Sequence, residues 1–139
     1  MFKKIFLFIA FDQITKWLLA DRDFFIGFVH IQGIENFGLS FALDFGFWIN
    51  LLFIIFGLII LFWYFVKNRE NKIVRLSFVF IFAGSISNLI DRLLFGFVRD
   101  FIDLGLNFTF NFSDLFVVVG LVILMFSKPI KPTMPQISQ

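Results

Sequence analysis

Phe45–Val66 reads FGFWINLLFIIFGLIILFWYFV. Its only strongly polar side chain is Asn50, and a bilayer-spanning helix needs about 20 consecutive, mostly apolar residues. The stretch is read as a transmembrane helix, and the composition agrees. Of 139 residues, 60% are hydrophobic, 16% are charged and 26 are Phe, with a mean hydropathy of +0.94. Soluble domains sit nearer half apolar and a quarter charged. A chain this short buries too little of its surface to hide the excess. The excess must face lipid, which excludes a soluble globular domain and a disordered chain.

Three further spans lie on either side. Residues 5–20 are apolar but interrupted by Asp12, Gln13 and Lys16; residues 73–94 carry Asn88, Asp91 and Arg92 near their end; residues 112–126 hold Asp114 in their first turn. Lys3 and Lys4 precede the first apolar run, as in a signal peptide. That run stops at Asp12 with no small-residue cleavage site behind it, so it is read as a retained helix. The expected fold is an all-α membrane protein with four transmembrane helices (5–20, 45–66, 73–94, 112–126) in one domain spanning 1–139. A loose tail, 127–139, carries Pro129, Pro132 and Pro135.

Charge sets the orientation. Lys3, Lys4, Lys67, Arg69, Lys72, Arg75, Lys128 and Lys131 fall on one side with Glu70; the other nine acids lie opposite with Lys16, Arg22, Arg92 and Arg99. The positive-inside rule then makes both termini and the tail cytoplasmic. On the outer side, Phe24–Phe45 is too polar to span, and Asn107–Asn111 (NFTFN) alternates with the period of a strand.

The inventory narrows the chemistry. There is no cysteine and one histidine, His30. Disulfides, thiolate zinc sites, iron–sulfur clusters, a cysteine nucleophile and a multi-histidine metal site are excluded, and nothing near His30 resembles a nucleophile elbow. No metal, cofactor, nucleic acid or obligate protein partner is expected.

Charges inside a bilayer cost several kcal/mol, so each needs a partner or a task. Asp12 and Lys16 stand one helical turn apart in the favourable order; an ion pair and a substrate-facing role are both open. Gly84, Asn88 and Arg92 recur every four residues, giving helix three a small, polar face, while Asp91 reads best as interhelical glue. Asn111-Phe112-Ser113-Asp114 is an ordinary helix-capping pattern, and Asp100 alone is a plain loop acid. Together, however, Asp100 and Asp114 flank a short outer connection and can reach one point at the membrane edge. Two carboxyls held close share one proton. The ionised one can deprotonate water while the other polarises a carbonyl, which is peptide hydrolysis from the materials at hand. Asp103 rivals Asp100 on spacing alone.

The motifs resemble those of lipoprotein signal peptidase, the signal peptidase II family of bacterial aspartyl endopeptidases. The resemblance rests on Asp12-Gln13-Ile14-Thr15-Lys16, Asn36-Phe37-Gly38-Leu39-Ser40-Phe41, Gly84-Ser85-Ile86-Ser87-Asn88-Leu89-Ile90-Asp91-Arg92, Gly96-Phe97-Val98-Arg99-Asp100-Phe101-Ile102 and Phe110-Asn111-Phe112-Ser113-Asp114. They occur in the family's order and cover residues 12 to 114. The resemblance implies removal of the signal peptide from prolipoproteins by cleavage before a diacylglyceryl-modified cysteine, at the outer face of the bacterial cytoplasmic (inner) membrane. It implies Asp100 and Asp114 as the catalytic pair, choosing Asp100 over Asp103. Asn36, Asn88, Arg92 and Asn111 are implied to line the substrate site, Asp12, Lys16 and Asp91 to support it, and a small extracytoplasmic β-rich cradle to complete the fold. Substrate and membrane lipid are the only partners implied. The chain departs from the family at Ser113 (usually Ala), at Leu39 and Ser40 (usually small) and at Ser85 (commonly Gly).

Two other readings compete. A proton-coupled carrier needs polar stations across the whole bilayer, yet the second span has no side chain charged at neutral pH and the fourth has none beyond Asp114. A non-catalytic assembly subunit would use the same polar groups only as glue.

Overall fold

Helix α3 is the element on which the others converge. The computed structural model describes residues 1–38, 45–105 and 108–127. Within them run α1 (Phe2–Leu19), β1 (Asp23–Ile26), β2 (Val29–Asn36), α2 (Phe47–Asn68), α3 (Lys72–Phe95), β3 (Val98–Asp103), β4 (Thr109–Phe110) and α4 (Phe112–Met125). All four expected spans are helices, with ends moved by a few residues. Beside the helices stands a small four-stranded antiparallel sheet in the order β1-β2-β3-β4. The cradle implied by the resemblance corresponds to this sheet. The strand expected over Asn107–Asn111 shrinks to Thr109–Phe110; Asn111 is taken as the cap of α4, and Asn107 lies outside the described residues.

Burial runs opposite to that of a soluble bundle. Phe6 and Trp17 on α1 are 72% and 75% exposed, while Asp12, Lys16 and Asp91 are each 0% exposed. Polar groups that hydrocarbon would not solvate turn inward, and apolar ones turn outward to lipid. Helices α2 and α3 are long and apolar enough to cross a bilayer, whereas α4, at 14 residues, is apolar but shorter.

With apolar lipid outside, helix association depends on close packing and interhelical hydrogen bonds rather than on hydrophobic burial. Glycines provide the closeness. A Cβ on Gly84 of α3 would overlap the Ser113 carbonyl of α4 and reach Val117 Cγ2 at 2.8 Å. One on Gly120 of α4 would meet Ser77 O of α3 at 2.8 Å. Helix α2 is held by rings, with Phe65 stacked on Phe78 at 4.1 Å and Phe78 on Phe82 at 3.9 Å between centroids. The buried Asn50 ties the start of α2 to the end of β2 by donating to Phe37 O at 3.2 Å.

Two backbone devices aim the sheet at the helix ends. Gly96 (φ +85°) ends α3 in the left-handed conformation, its N–H donating to Arg92 O at 3.0 Å, and turns the chain into β3. In β2 the register passes from Ile31↔Ile102 to Ile34↔Asp100, so a bulge adds one residue at Gln32-Gly33. Shifting a strand by one residue exchanges its faces. The bulge therefore puts Asn36 on the Asp100 face, where an unbroken ladder would put the carboxylate of Glu35. Only glycine fits at position 33, because a Cβ would overlap the Ala20 carbonyl at the end of α1.

Candidate active site

The site is built on a buried ionic base that joins α1, α3, β3 and α4. Asp91 accepts from Arg99 Nη2 at 2.8 Å, from Arg99 N at 3.0 Å and from Gln13 Nε2 at 2.9 Å, and it lies 3.3 Å from Lys16 Nζ. This is the interhelical glue expected of it. Asp12 does more than pair with Lys16 at 2.8 Å. Its Oδ2 accepts from Ser87 Oγ at 2.7 Å, and its Oδ1 accepts the Ser113 N–H at 2.8 Å. That N–H is one of the unpaired donors of the first turn of α4. A carboxylate on α1 thus fixes the start of the helix that carries Asp114.

Asp100 and Asp114 meet above this base, one on β3 and the other in the first turn of α4, with Asn111 between them. Asn111 Nδ2 donates to Asp100 Oδ1 at 2.6 Å, and Asn111 N–H donates to Asp114 Oδ2 at 3.1 Å. Asn111 Oδ1 accepts the Asp114 N–H at 3.0 Å, which completes a capping box. The cap reading and the site reading of this motif therefore describe one arrangement. Asn36 Nδ2 holds Asp100 Oδ2 at 2.8 Å, and Asn88 Nδ2 holds Asp114 Oδ1 at 2.8 Å. Arg92 Nη2 donates to Gly38 O at 2.7 Å. Its Nε is buried without a partner among the described residues.

The structure brings together Asn36, Asn88, Arg92, Asn111, Asp100 and Asp114, with Asp12, Lys16 and Asp91 beneath them. Asp103 is turned away. It lies three residues from Asp100 on the same strand, an odd spacing that places it on the opposite face. There it accepts from Gln32 Nε2 and from Gly105 N, each at 2.7 Å. Sequence reading gave no role to Gln13, Ser87 or Arg99, which lace the ionic base. The signal available was that amide, hydroxyl and guanidinium groups sit beside acids inside the motifs.

Charge counting explains a shared proton. Among the described residues, the assembly holds four carboxyls (Asp12, Asp91, Asp100, Asp114) and three cations (Lys16, Arg92, Arg99), all buried except the half-buried Asp114 and Arg99. Uncompensated charge is costly in a low-dielectric interior, so neutrality requires one added proton. Asp12 and Asp91 have direct cation partners. Asp100 and Asp114 have none among the described residues. Burial, followed by the charge of Asp114, pushes the Asp100 carboxyl up to about 7. Two carboxyls so placed can act as acid and base toward water when one of them holds a proton.

A family model described as signal peptidase (SPase) II matches residues 4–128. The chain belongs to the signal peptidase II family. It is 35% identical over 130 residues to a lipoprotein signal peptidase of Syntrophomonas wolfei, covering 86% of this chain and 85% of the relative. It is 36% identical over 135 residues to one of Clostridioides difficile, covering 86% and 88%. A solved structure described as a bacterial membrane enzyme, determined by the in meso method at 2.3 Å, superposes with a TM-score of 0.80 at 27% identity, covering 94% of this chain and 93% of that one. As a signal peptidase II the chain is an aspartic-type endopeptidase and a membrane enzyme. Of the departures, Ser113 is buried with an Oγ that has no partner among the described residues, and Ser85 is half-buried on α3. Leu39 and Ser40 lie outside the described residues.

Proposed function

We propose that this signal peptidase II cleaves prolipoproteins immediately before a diacylglyceryl-modified cysteine, with Asp100 and Asp114 as its catalytic pair. The observation that carries the reading is the single Asn111 bonded to both carboxyls, within an assembly one proton short of neutral. One carboxylate takes a proton from water as the water oxygen bonds to the scissile carbonyl carbon. The protonated partner hydrogen-bonds the carbonyl oxygen and stabilises the tetrahedral intermediate. Collapse breaks the C–N bond, the first carboxyl returns its proton to the departing cysteine nitrogen, and the signal peptide leaves as a carboxylic acid. A lipid-anchored cysteine fixes the depth of the reacting bond, so aspartates at helix and strand ends gain rate through position. Asn36, Asn88, Asn111 and Arg92 are the groups proposed to hold the substrate backbone.

The chain is further proposed to lie as one domain in the bacterial cytoplasmic membrane with four spans. Both termini are cytoplasmic, and the site faces the extracytoplasmic side. Supporting this, Lys4 beside Met1 and Lys72 with Arg75 at the start of α3 line one depression, at the end of the bundle away from the aspartates. Basic residues in that position mark a cytoplasmic face.

The test is cleavage of a diacylglyceryl-modified prolipoprotein by wild type, Asp100→Asn and Asp114→Asn, with thermal unfolding measured beside it. Both variants are expected to fold and to lose cleavage; full cleavage by either overturns the assignment. Arg92→Gln is expected to raise KM.

A further inference from the structure

Lys16 is fully buried in the membrane-spanning part of α1, and the reaction proposed above gives it no direct task. Its ammonium already has two carboxylate neighbours, Asp12 at 2.8 Å and Asp91 at 3.3 Å. Its shortest hydrogen bond is to neither: Nζ donates to Asn88 Oδ1 at 2.7 Å. An ammonium can only donate. It therefore fixes which end of the Asn88 amide points toward it and turns the NH2 end to Asp114 Oδ1, 2.8 Å away. The second Asp114 oxygen accepts a backbone N–H, that of Asn111, at 3.1 Å. Both oxygens thus face donors that cannot reverse, one of them polarised by a cation, and the carboxyl sits in the first turn of α4, where the helix dipole favours negative charge.

Asp100 has neither aid. Its oxygens accept from two neutral amides, Asn36 and Asn111, and it lies on a strand. The nearby Arg99 guanidinium is engaged by Asp91 and by Gln13 Oε1 at 2.9 Å. The charged groups that act on Asp114 are Asp12 and Lys16 from α1, Arg92 from α3 and Asp100 from β3, while Asp91 and Arg99 pair with each other in the ionic base; α4 has no other ionisable side chain. Among the described residues, Lys16 is the only cation hydrogen-bonded to a side chain that in turn donates to Asp114.

We infer that Lys16 is a positioning residue that acts through Asn88 to hold Asp114 as the ionised member of the pair and leaves the shared proton on Asp100. Asp114 is then the base that takes the proton from water, and Asp100 is the acid that faces the substrate carbonyl. The inference rests on the proposed peptidase reading, and the test separates the two.

The experiment is the pH profile of kcat/KM for prolipoprotein cleavage by wild type, by Lys16→Gln and by the charge-balanced Lys16→Gln/Asp91→Asn chain, which keeps the Asp12 bond to Ser113 N–H, with thermal unfolding alongside. Glutamine still offers Asn88 a donor but removes the charge. A cation close to a carboxylate shifts its titration by about 1–3 pH units, and Lys16 acts at one amide's remove. The acid limb of the Lys16→Gln profile is therefore expected to move up by about one unit, lowering kcat/KM about tenfold on that limb. A purely structural lysine would lower stability and leave the limb where it was. If Lys16→Gln does not fold, the charge-balanced chain carries the same readout: a raised acid limb supports the inference, and a wild-type limb overturns it. Failure of wild type to cleave the prolipoprotein would instead overturn the peptidase reading.

Discussion

Replacing Gly84 by alanine tests how far the active site depends on the closeness of two helices. The added methyl would overlap the Ser113 carbonyl and stand 2.8 Å from Val117 Cγ2. Contact between such atoms settles near 3.5 Å or a little beyond. Val117 can rotate its methyl aside. The Ser113 carbonyl is backbone and cannot move without disturbing the first turn of α4. The helices must then part by on the order of 1 Å at this level. That displacement stretches the Asp12 Oδ1 bond to Ser113 N–H, 2.8 Å in the wild type, and carries Asp114 away from Asn88 and Asp100. Overpacking of this kind costs about 1–3 kcal/mol of stability, and a misplacement near 1 Å costs roughly 100-fold in rate. Single-turnover cleavage of a lipid-modified prolipoprotein, read beside thermal unfolding in detergent, separates the two effects. Gly120→Ala is the control. Its methyl would meet Ser77 O at 2.8 Å and Ile81 Cγ1 at 2.6 Å in the same interface, nearly two turns further along α4. It is expected to lower stability similarly while leaving most of the rate. A folded Gly84→Ala enzyme with wild-type kcat, or equal rate losses in both variants, would refute the reasoning.

Three further outcomes follow from the same contacts. Because the Asp100 carboxyl titrates near 7 in the folded chain rather than at the ordinary 3.8, between those values the folded state keeps a proton that the unfolded state has released. Stability therefore falls as pH rises from about 4 to 7. Asp100→Asn should flatten that decline in thermal unfolding, and an unchanged slope would contradict it. Asp91→Asn leaves Lys16 and Arg99 short of a buried counter-charge and should cost about 3–5 kcal/mol in unfolding experiments; a loss within error of zero would remove Asp91 from the ionic base. Ser113→Ala removes a buried hydroxyl that has no partner among the described residues. It should stabilise the fold by about 1 kcal/mol or more with cleavage retained, and a destabilised variant would show that the hydroxyl is satisfied.

The membrane class and the helices were legible in the sequence because lipid imposes a one-dimensional rule: about 20 apolar residues in a row. Phe45–Val66 satisfies it without reference to any other part of the chain. The capping pattern at Asn111–Asp114 was legible for the same reason, since its partners lie three residues apart. The sheet was only partly so. Its strands are short, Gly33 conceals a bulge, and the pairing of β2 with β3 joins residues more than sixty positions apart. The pairing of Asp12 with Lys16 was legible at four-residue spacing, but its contact with Ser113 N–H was not, because that contact spans 101 positions.

By itself, then, the sequence determined what the chain lives in and which polar residues the bilayer would force inward, because hydropathy, charge and helical spacing are local properties. Only the tertiary structure decided what those residues do to one another. It set Asp100 against Asp103 by strand parity, turned Asn36 rather than Glu35 toward the pair by one extra residue, and enclosed four carboxyls with three cations. The physical reason is that proton sharing depends on distances and on a buried charge balance, and both exist only once α1, α3, β3 and α4 have closed on each other.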